Sequence, residues 1–416
     1  MDRHSAPKHG TMRRSGVVAI VAQGTQAAGN LVIQVLAARS LGTAGLGQFG
    51  LLYGTLILAT AITAGFVGDS MTVLDRHEPA VRAALQNWLA FISALCATAC
   101  FVVAWTTGFV DFRAALAFGG AMFVFLIEDA LRRLLMATLK FWRMAAIDTT
   151  SLLAMAAVLL LAPTVTLAWM FLALMVGQLS AIAVGICLLP ARERWLARPL
   201  PARHRAVAGY GLWRSLQAAV QPSVLALTRV TVIAIVGLVA AGELEAARIY
   251  TSPAMLVVFG LGGFLFANHA IAKAQPMHTA VRSADREALA LMLLTVVFGI
   301  CAVSALPLIG HLITGHDVSA LTVVGWLVYT LSEAAGIPYA YAAAVRGMHP
   351  AVLVHVASSV LCLLLVAGLV YVFGSAEWVP FGLAIGLFTA GRIVRQYMLR
   401  SKRHSDRRPR TELTPS

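Results

Sequence analysis

The sequence predicts an all-α, polytopic membrane protein with about twelve transmembrane helices. Of its 416 residues, 59% are hydrophobic and only 12% are charged, whereas soluble proteins carry about 25% charged residues. Apolar runs of roughly 18 residues or more recur along nearly the whole chain, and each can cross a hydrocarbon core of roughly 30 Å. Because the backbone must satisfy its own hydrogen bonds in lipid, these runs are expected to be helices.

The apolar runs, taken in order, define the predicted helices. They lie at 16–38, 48–72, 84–107, 114–138, 145–162, 165–189, 207–238, 246–270, 287–310, 319–345, 351–373 and 379–398. The first run follows the basic residues Arg13 and Arg14, as the apolar core of a signal peptide would. It is longer than such a core and has no evident cleavage site, so it is predicted to be the first transmembrane helix.

The distribution of Lys and Arg predicts the orientation of these helices. With the N-terminus in the cytosol, the cytosolic segments carry 27 of the 32 basic residues and the outer segments carry three. The positive-inside rule therefore predicts a multi-pass protein of the bacterial plasma (inner) membrane with both termini in the cytosol. The net charge of +14 is explained by this topology and by anionic membrane lipids, and no nucleic-acid partner is expected.

An internal repeat predicts two pseudo-symmetric lobes of six helices each. Leu41–Tyr53 aligns with Leu238–Tyr250 at a constant offset of 197, with identical Leu, Gly and Tyr at three positions. Six helices separate the two copies, so the halves share one orientation. The predicted domains are a cytosolic N-terminus at 1–15, an N-lobe at 16–189, a cytosolic linker at 190–206, a C-lobe at 207–398 and a basic cytosolic tail at 399–416.

Prolines distinguish the second lobe from the first. Four of them fall within consecutive predicted helices, namely Pro222, Pro253, Pro307 and Pro338. A proline inside a helix frees a backbone carbonyl and kinks the helix. These kinks are either static packing features or the places where the second lobe bends.

Two predicted helices carry polar stripes. The first helix has four amides spaced by three or four residues on one face, Gln23, Gln26, Asn30 and Gln34. The seventh has a comparable face with Arg214, Gln217, Gln221 and Thr228, and Arg229 lies beside it. A single polar residue in lipid can serve as a contact between helices, but a stripe of four favours a water-filled cavity. A guanidinium suits phosphate well; equally, Arg229 could pair with a buried acid such as Glu333.

The predicted fourth and tenth helices carry intramembrane acids. In the fourth helix, two acids precede two bases by four residues: Glu128, Asp129, Arg132 and Arg133. Two ion pairs at this spacing would either neutralise each other near the cytosolic end or act as a gate. Glu333 is a lone carboxylate in the tenth helix and a candidate proton or cation site. Asp69 and Asp148 lie near cytosolic helix ends and are expected to be solvated.

The sequence contains no signal for an enzyme. A GxxxxGK[ST] nucleotide-binding loop is absent, so ATP hydrolysis is not expected. The five cysteines all fall within predicted helices and show neither a metal spacing nor a disulfide pattern. We therefore predict a protein without catalytic residues, a cofactor or a metal site.

Several junction segments resemble those of one transporter family. They are Leu36–Gly42 with Gly45–Gly50 after the first helix, Gly65–Arg76 at the exit from the second, Arg132–Arg143 at the exit from the fourth, and Leu227–Met255 between the seventh and eighth. Together they resemble the polysaccharide-transporter branch of the multidrug/oligosaccharidyl-lipid/polysaccharide exporter superfamily, over roughly residues 10–400. Thr228 stands where many members have Asp, whereas Arg229 keeps their Arg.

The resemblance implies two six-helix bundles around a central cavity that opens alternately to either side. It also implies a flippase that moves a polyprenyl (di)phosphate-linked saccharide from the cytosolic to the outer leaflet, for cell-surface polysaccharide synthesis. Glycosyltransferases or a polymerase of the same pathway are the implied partners. Arg229 and Arg214 would then bind the diphosphate, the amides of the first helix would bind sugar hydroxyls, and Glu333 would serve coupling or gating.

Three alternatives remain open at this point. A cation-coupled multidrug or small-molecule exporter of the same superfamily usually has a carboxylate in its first helix, where this chain has amides only. A non-transporting membrane scaffold would leave a polar cavity unused. A glycosyltransferase or ligase normally needs a sizeable outer loop, and the outer loops predicted here are short.

Overall fold

The computed structural model describes residues 28–137, 141–194, 203–272, 275–348 and 350–405, which contain twelve helices. In chain order these are α1 (28–40), α2 (Gly42–Val73), α3 (Pro79–Thr106), α4 (Phe112–Ala137), α5 (Phe141–Leu161), α6 (Leu167–Leu188), α7 (His204–Ile235), α8 (Leu238–Ile271), α9 (Met277–Thr314), α10 (Ala320–Val345), α11 (Pro350–Phe373) and α12 (Val379–Ser405).

Eleven of these helices, α2 to α12, are long and apolar enough to cross a membrane. Many large apolar side chains on them are exposed, including Leu308 (81%), Leu364 (67%) and Ile300 (63%). Soluble proteins rarely expose contiguous apolar surfaces of this kind, so these faces are suited to contact lipid. The prediction of an all-α polytopic fold with about twelve helices is confirmed.

Several helices begin earlier than their apolar runs predict. α2 starts at Gly42, α8 at Leu238 and α9 at Met277, whereas the predicted starts are 48, 246 and 287. The added turns contain polar or small residues, which form a helix but do not contribute to an apolar run. They carry charged side chains that become important in the structure.

The four prolines predicted to lie within helices do so. Pro222, Pro253, Pro307 and Pro338 are inside α7, α8, α9 and α10 respectively. By contrast, Pro79 occupies the first turn of α3, where a missing N–H leaves no helical hydrogen bond unmade. That the second half of the chain bends at its prolines remains a prediction.

The chain divides into two compact units. The first comprises residues up to 233 together with 238–245, and so contains α1 to α6, most of α7 and the first turns of α8. Within it, α4 packs against α3 and α6, and α5 packs against α6. Its core includes an aromatic group in which the Phe171 ring lies 5.7 Å from Phe49 and 5.0 Å from Phe118. The predicted lobe boundary at 190–206 stays a prediction.

The second unit comprises residues 234–237 and those from 246 onwards. Here α12 packs against α10 and α11, and α9 packs against α10. The backbones of α10 and α12 approach each other at two glycines: a Cβ added to Gly391 would lie 2.9 Å from the Cα of Gly336. Tyr339 of α10 and Arg395 of α12 lie about one turn from these glycines, and both contact Asp285 of α9.

Candidate functional site

A buried ion pair lies in the hairpin formed by α7 and α8. The turn between these helices contains Gly237, whose φ of 105° is one that glycine adopts without strain. Arg229 and Glu245 are each eight residues from Gly237 along the chain, so the antiparallel helices bring them to the same depth. Nε of Arg229 donates to Oε1 of Glu245 at 2.6 Å, and the two side chains are only 9% and 3% exposed.

Glycines of α2 make room for this pair. A Cβ at Gly54 would lie 2.5 Å from Nη1 of Arg229, and a Cβ at Gly50 would lie 2.6 Å from Cγ of Glu245. Real side chains do not approach this closely, so any larger residue at either position would displace a charged group. The Arg229–Glu245 pair is therefore enclosed by α2, α7 and the first turns of α8.

The two copies of the internal repeat contact each other beside this pair. Gly47 of α2 faces the carbonyl of Leu238 and the amide nitrogen of Gly242, and Gly242 in turn faces the carbonyl of Thr43. Neither glycine has room for a Cβ. Small residues allow helix backbones to touch in this way, and the repeat thus supplies both sides of the contact.

A second ion pair joins α7 to α2, fifteen residues away from Arg229. Arg214 contacts Oδ2 of Asp69 through Nη2 at 2.7 Å and through Nε at 2.8 Å, and its Nη1 donates to Oε1 of Gln217 at 2.8 Å. Asp69 directly follows the π-helical turn Ala64–Gly68. The side chains of Arg214 and Asp69 are 43% and 30% exposed, so Asp69 is only partly solvated.

A small polar pocket of about 40 Å³ lies between α1, α4, α5 and α6. Its polar lining residues are Asn30, Glu128, Asp148, Ser151 and Gln178. Glu128 is buried, and Oε1 of the buried Gln178 has no hydrogen-bond partner within the described part of the chain. A polar space larger than about 15 Å³ can hold a water molecule.

The charged residues of α4 form one of the two ion pairs predicted for them. Asp129 and Arg133 pair at 2.7 Å, as their spacing predicts. The predicted pairing of Glu128 with Arg132 is wrong, because Arg132 contacts Asp148 of α5 at 3.2 Å instead. The side chain of Asp148, which was expected to be solvated, is only 7% exposed. Packing of α5 against α4 places this carboxylate closer to the guanidinium than Glu128 lies.

Glu333 lies in the second unit and is buried within α10. Tyr329, one turn earlier, donates its hydroxyl to Oε1 of Glu333 at 3.2 Å. The coupling or gating role predicted for Glu333 stays a prediction.

The amides of the two polar stripes have different surroundings. Gln34 is buried and donates its Nε2 to the carbonyl of Asn30 at 2.9 Å, and Gln221 is exposed. Gln23 and Gln26 lie outside the described residues. The roles predicted for all these amides stay predictions.

Glu245 is the main residue that sequence analysis missed. The predicted eighth helix begins at 246, so the acid was assigned to a loop. Arg229 and Glu245 lie eight residues on either side of Gly237. This symmetry was a usable signal, because a tight turn between antiparallel helices places such residues at the same depth.

Comparison with solved structures identifies the fold. A multidrug resistance MATE family transporter of the MOP superfamily in an inward-facing conformation matches with a TM-score of 0.69 and 12% identity, over 95% of this chain and 99% of the other. An outward-facing conformation of such a transporter matches with a TM-score of 0.62 and 14% identity, over 94% and 95% of the two chains. A MOP superfamily transporter from Pyrococcus furiosus Vc1 (DSM3638) matches with a TM-score of 0.64 and 12% identity, over 95% and 96%.

By sequence, the chain matches no protein-family profile and no curated protein. The structural matches nevertheless cover almost its whole length. The chain is therefore a multi-pass membrane protein with the fold of the MOP superfamily of transporters. At these low identities the similarity establishes the fold and leaves the substrate open.

Proposed function

We propose that this protein is a flippase that moves a polyprenyl (di)phosphate-linked saccharide from the cytosolic to the outer leaflet by alternating access. The proposal rests mainly on the surroundings of Arg214. This guanidinium is 43% exposed, and Gln217 lies against it. An arginine with a neighbouring amide can bind a phosphate oxygen and a hydroxyl together, which is the chemistry of a sugar diphosphate.

The exposure of the Arg214–Asp69 pair makes it exchangeable. Ion pairs that are open to solvent contribute about 0–1 kcal/mol. A diphosphate carries more charge than a carboxylate and can replace Asp69 at little energetic cost. Arg229 is different, because its pair with Glu245 is almost fully buried. We therefore assign the first contact with diphosphate to Arg214, and engagement of Arg229 requires the surrounding helices to move.

The amides support the same substrate class. Gln217 and Gln221 continue the polar face of α7 from Arg214, and α1 contributes Asn30 and Gln34. Amides offer both donors and acceptors, which matches the alternating requirements of sugar hydroxyls. Polar α1 residues without a carboxylate argue against a site built for organic cations.

The test in cells is the sidedness of lipid-linked saccharides after depletion of the protein. An enzyme or lectin that reaches only the outer leaflet should find less substrate, and a shielded intermediate should accumulate until the protein is expressed again. Unchanged amounts and sidedness would contradict the proposal.

A matched pair of variants tests the role of Arg214 in reconstituted vesicles. Arg214→Gln is expected to slow flipping of a fluorescent polyprenyl diphosphate saccharide by about tenfold or more, since a charge-assisted hydrogen bond contributes roughly 1.5–3 kcal/mol. Arg205→Gln removes the same charge from an exposed position of the same helix and is expected to flip normally. Equal rates for the two variants would remove Arg214 from the site.

A cation-coupled small-molecule exporter is the second candidate function. The observations that favour it are the buried Glu333 and the small pocket beside Glu128 and Asp148. Such acids can couple substrate movement to a proton or cation gradient in either function. Gradient-driven efflux of a cationic drug from the same vesicles, with no flipping of the saccharide lipid, would select this function.

A further inference from the structure

The second unit contains a cavity of about 580 Å³ between α9, α10 and α12. Its size falls within the range of roughly 300–1,000 Å³ that is usual for small-molecule sites. The cavity lies near the beginning of α9 and toward the end of α12, and its polar lining residues are Asp285, Tyr339, Arg392 and Arg395. Its lining includes neither the α7 arginines nor the acids discussed above.

Two of the charged residues in this cavity neutralise each other. Arg395 donates to both carboxylate oxygens of Asp285, at 2.8 Å and 3.1 Å. The hydroxyl of Tyr339 donates to Oδ1 of the same carboxylate at 2.5 Å. Asp285 therefore has its charge balanced and its oxygens occupied, and Arg395 is held by a bidentate contact.

Arg392 provides a positive charge that is not balanced in this way. It is exposed, and its guanidinium lies over the ring of Phe388 at 5.3 Å from the centroid. Within the part of the chain that the structure describes, Arg392 has no ion pair with a carboxylate. With Asp285 and Arg395 cancelling, the cavity carries one net positive charge.

The rim of the cavity is apolar and open. Leu289 and Phe388 line it and are 58% and 44% exposed. Both lie on helices that are apolar enough to span a membrane, so their exposed faces are available to acyl chains. The ends of α9 and α12 nearest the cavity are those that the positive-inside pattern predicts to face the cytosol, where anionic lipids are enriched.

We propose that this cavity binds one anionic glycerophospholipid of the cytosolic leaflet. The lipid phosphate would contact Arg392, and the acyl chains would pass over Leu289 and Phe388. Basic pockets between transmembrane helices at the cytosolic side commonly bind anionic lipid headgroups. A single uncompensated arginine matches the single negative charge of a phosphodiester phosphate.

The bound lipid would bridge α9 and α12. It would therefore stabilise the second unit without taking part in substrate movement. The site is independent of the proposed function, and it would be retained if the protein transported another substrate.

Native mass spectrometry of the purified full-length protein tests the site. Phosphatidylglycerol is titrated onto the wild type, Arg392→Gln and the control Arg400→Gln, which removes the same charge from an exposed position of α12 outside the cavity lining. The expected result is that Arg392→Gln weakens the first binding step about tenfold, in keeping with the loss of one charge-assisted contact. Arg400→Gln is expected to bind like the wild type. Melting temperatures measured on the same samples establish that the variants are folded.

Further probes distinguish the sources of a phosphate. Phosphatidylcholine and inorganic phosphate are expected to show no binding step that depends on Arg392. Equal weakening by the two variants would overturn the proposal, because it would indicate attraction to the basic surface as a whole. A step seen with polyprenyl phosphate but not with phosphatidylglycerol, or with inorganic phosphate alone, would overturn it as well.

Discussion

Replacing Glu245 by Gln should destabilise the protein strongly, because it leaves Arg229 charged and buried. The two side chains are 3% and 9% exposed and are joined at 2.6 Å. Removing one partner of a buried ion pair typically costs about 3–5 kcal/mol, most of it from the unpaired charge that remains. Glu243→Gln is the matched control, since Glu243 lies two residues away on the same helix and is exposed. A surface change of this kind usually stays within about 0.5 kcal/mol.

The assay is unfolding of the purified chain by titration with a denaturing detergent in mixed micelles, followed by circular dichroism. Glu245→Gln, Arg229→Gln and the double variant together form a double-mutant cycle. Because the double variant removes both charges, its free energy of unfolding should fall by clearly less than the sum of the two single losses. The reasoning is refuted if Glu245→Gln unfolds like Glu243→Gln, or if the coupling energy is below about 0.5 kcal/mol.

Three further predictions concern packing and charge. Gly242→Ala should lower the free energy of unfolding by about 1–3 kcal/mol, because the added Cβ would overlap the backbone of α2. The control Gly209→Ala, at an open position of α7, should not lower it. Asp148→Asn should lower the free energy of unfolding by about 3–5 kcal/mol, because it leaves its buried arginine partner without a counter-charge. Asp69→Asn, in a more exposed pair, should lower it by at most about 1 kcal/mol. Similar losses for the two variants in the same titration would contradict the distinction. Glu333→Gln can keep the hydrogen bond from its tyrosine, so the protein should fold normally and lose transport that depends on a proton or cation gradient, and full gradient-driven transport by the variant would exclude a coupling role.

The apolar runs predict the helices accurately where a run coincides with the whole helix. The predicted spans 319–345 and 351–373 correspond to α10 at Ala320–Val345 and α11 at Pro350–Phe373. The length of such a run is set by membrane thickness, which every spanning helix shares. Prolines inside helices were equally accessible, because they are local features of the chain.

Most of the ion pairs cannot be predicted from the apolar runs. Glu245 and Asp285 lie in helical turns that precede the predicted helices at 246–270 and 287–310, and each accepts a hydrogen bond from an arginine. Apolar runs end where such residues begin, although the helix continues. Only a local pair such as Asp129–Arg133 could be predicted from spacing, because the partner of Arg132 is supplied by another helix.

Under the proposed function, the two arginines of α7 have different tasks. The energy of a pair depends on its burial, so the half-exposed Arg214 can exchange its carboxylate for a phosphate, whereas Arg229 would lose several kcal/mol on leaving Glu245. α2 contacts both pairs and touches α8 at Gly47. A movement that separated α2 from α7 and α8 would uncover both arginines at once. The Arg229–Glu245 pair joins α7 to α8, so such a movement would leave it intact, and under the proposed function the first contact with an anionic headgroup stays with Arg214.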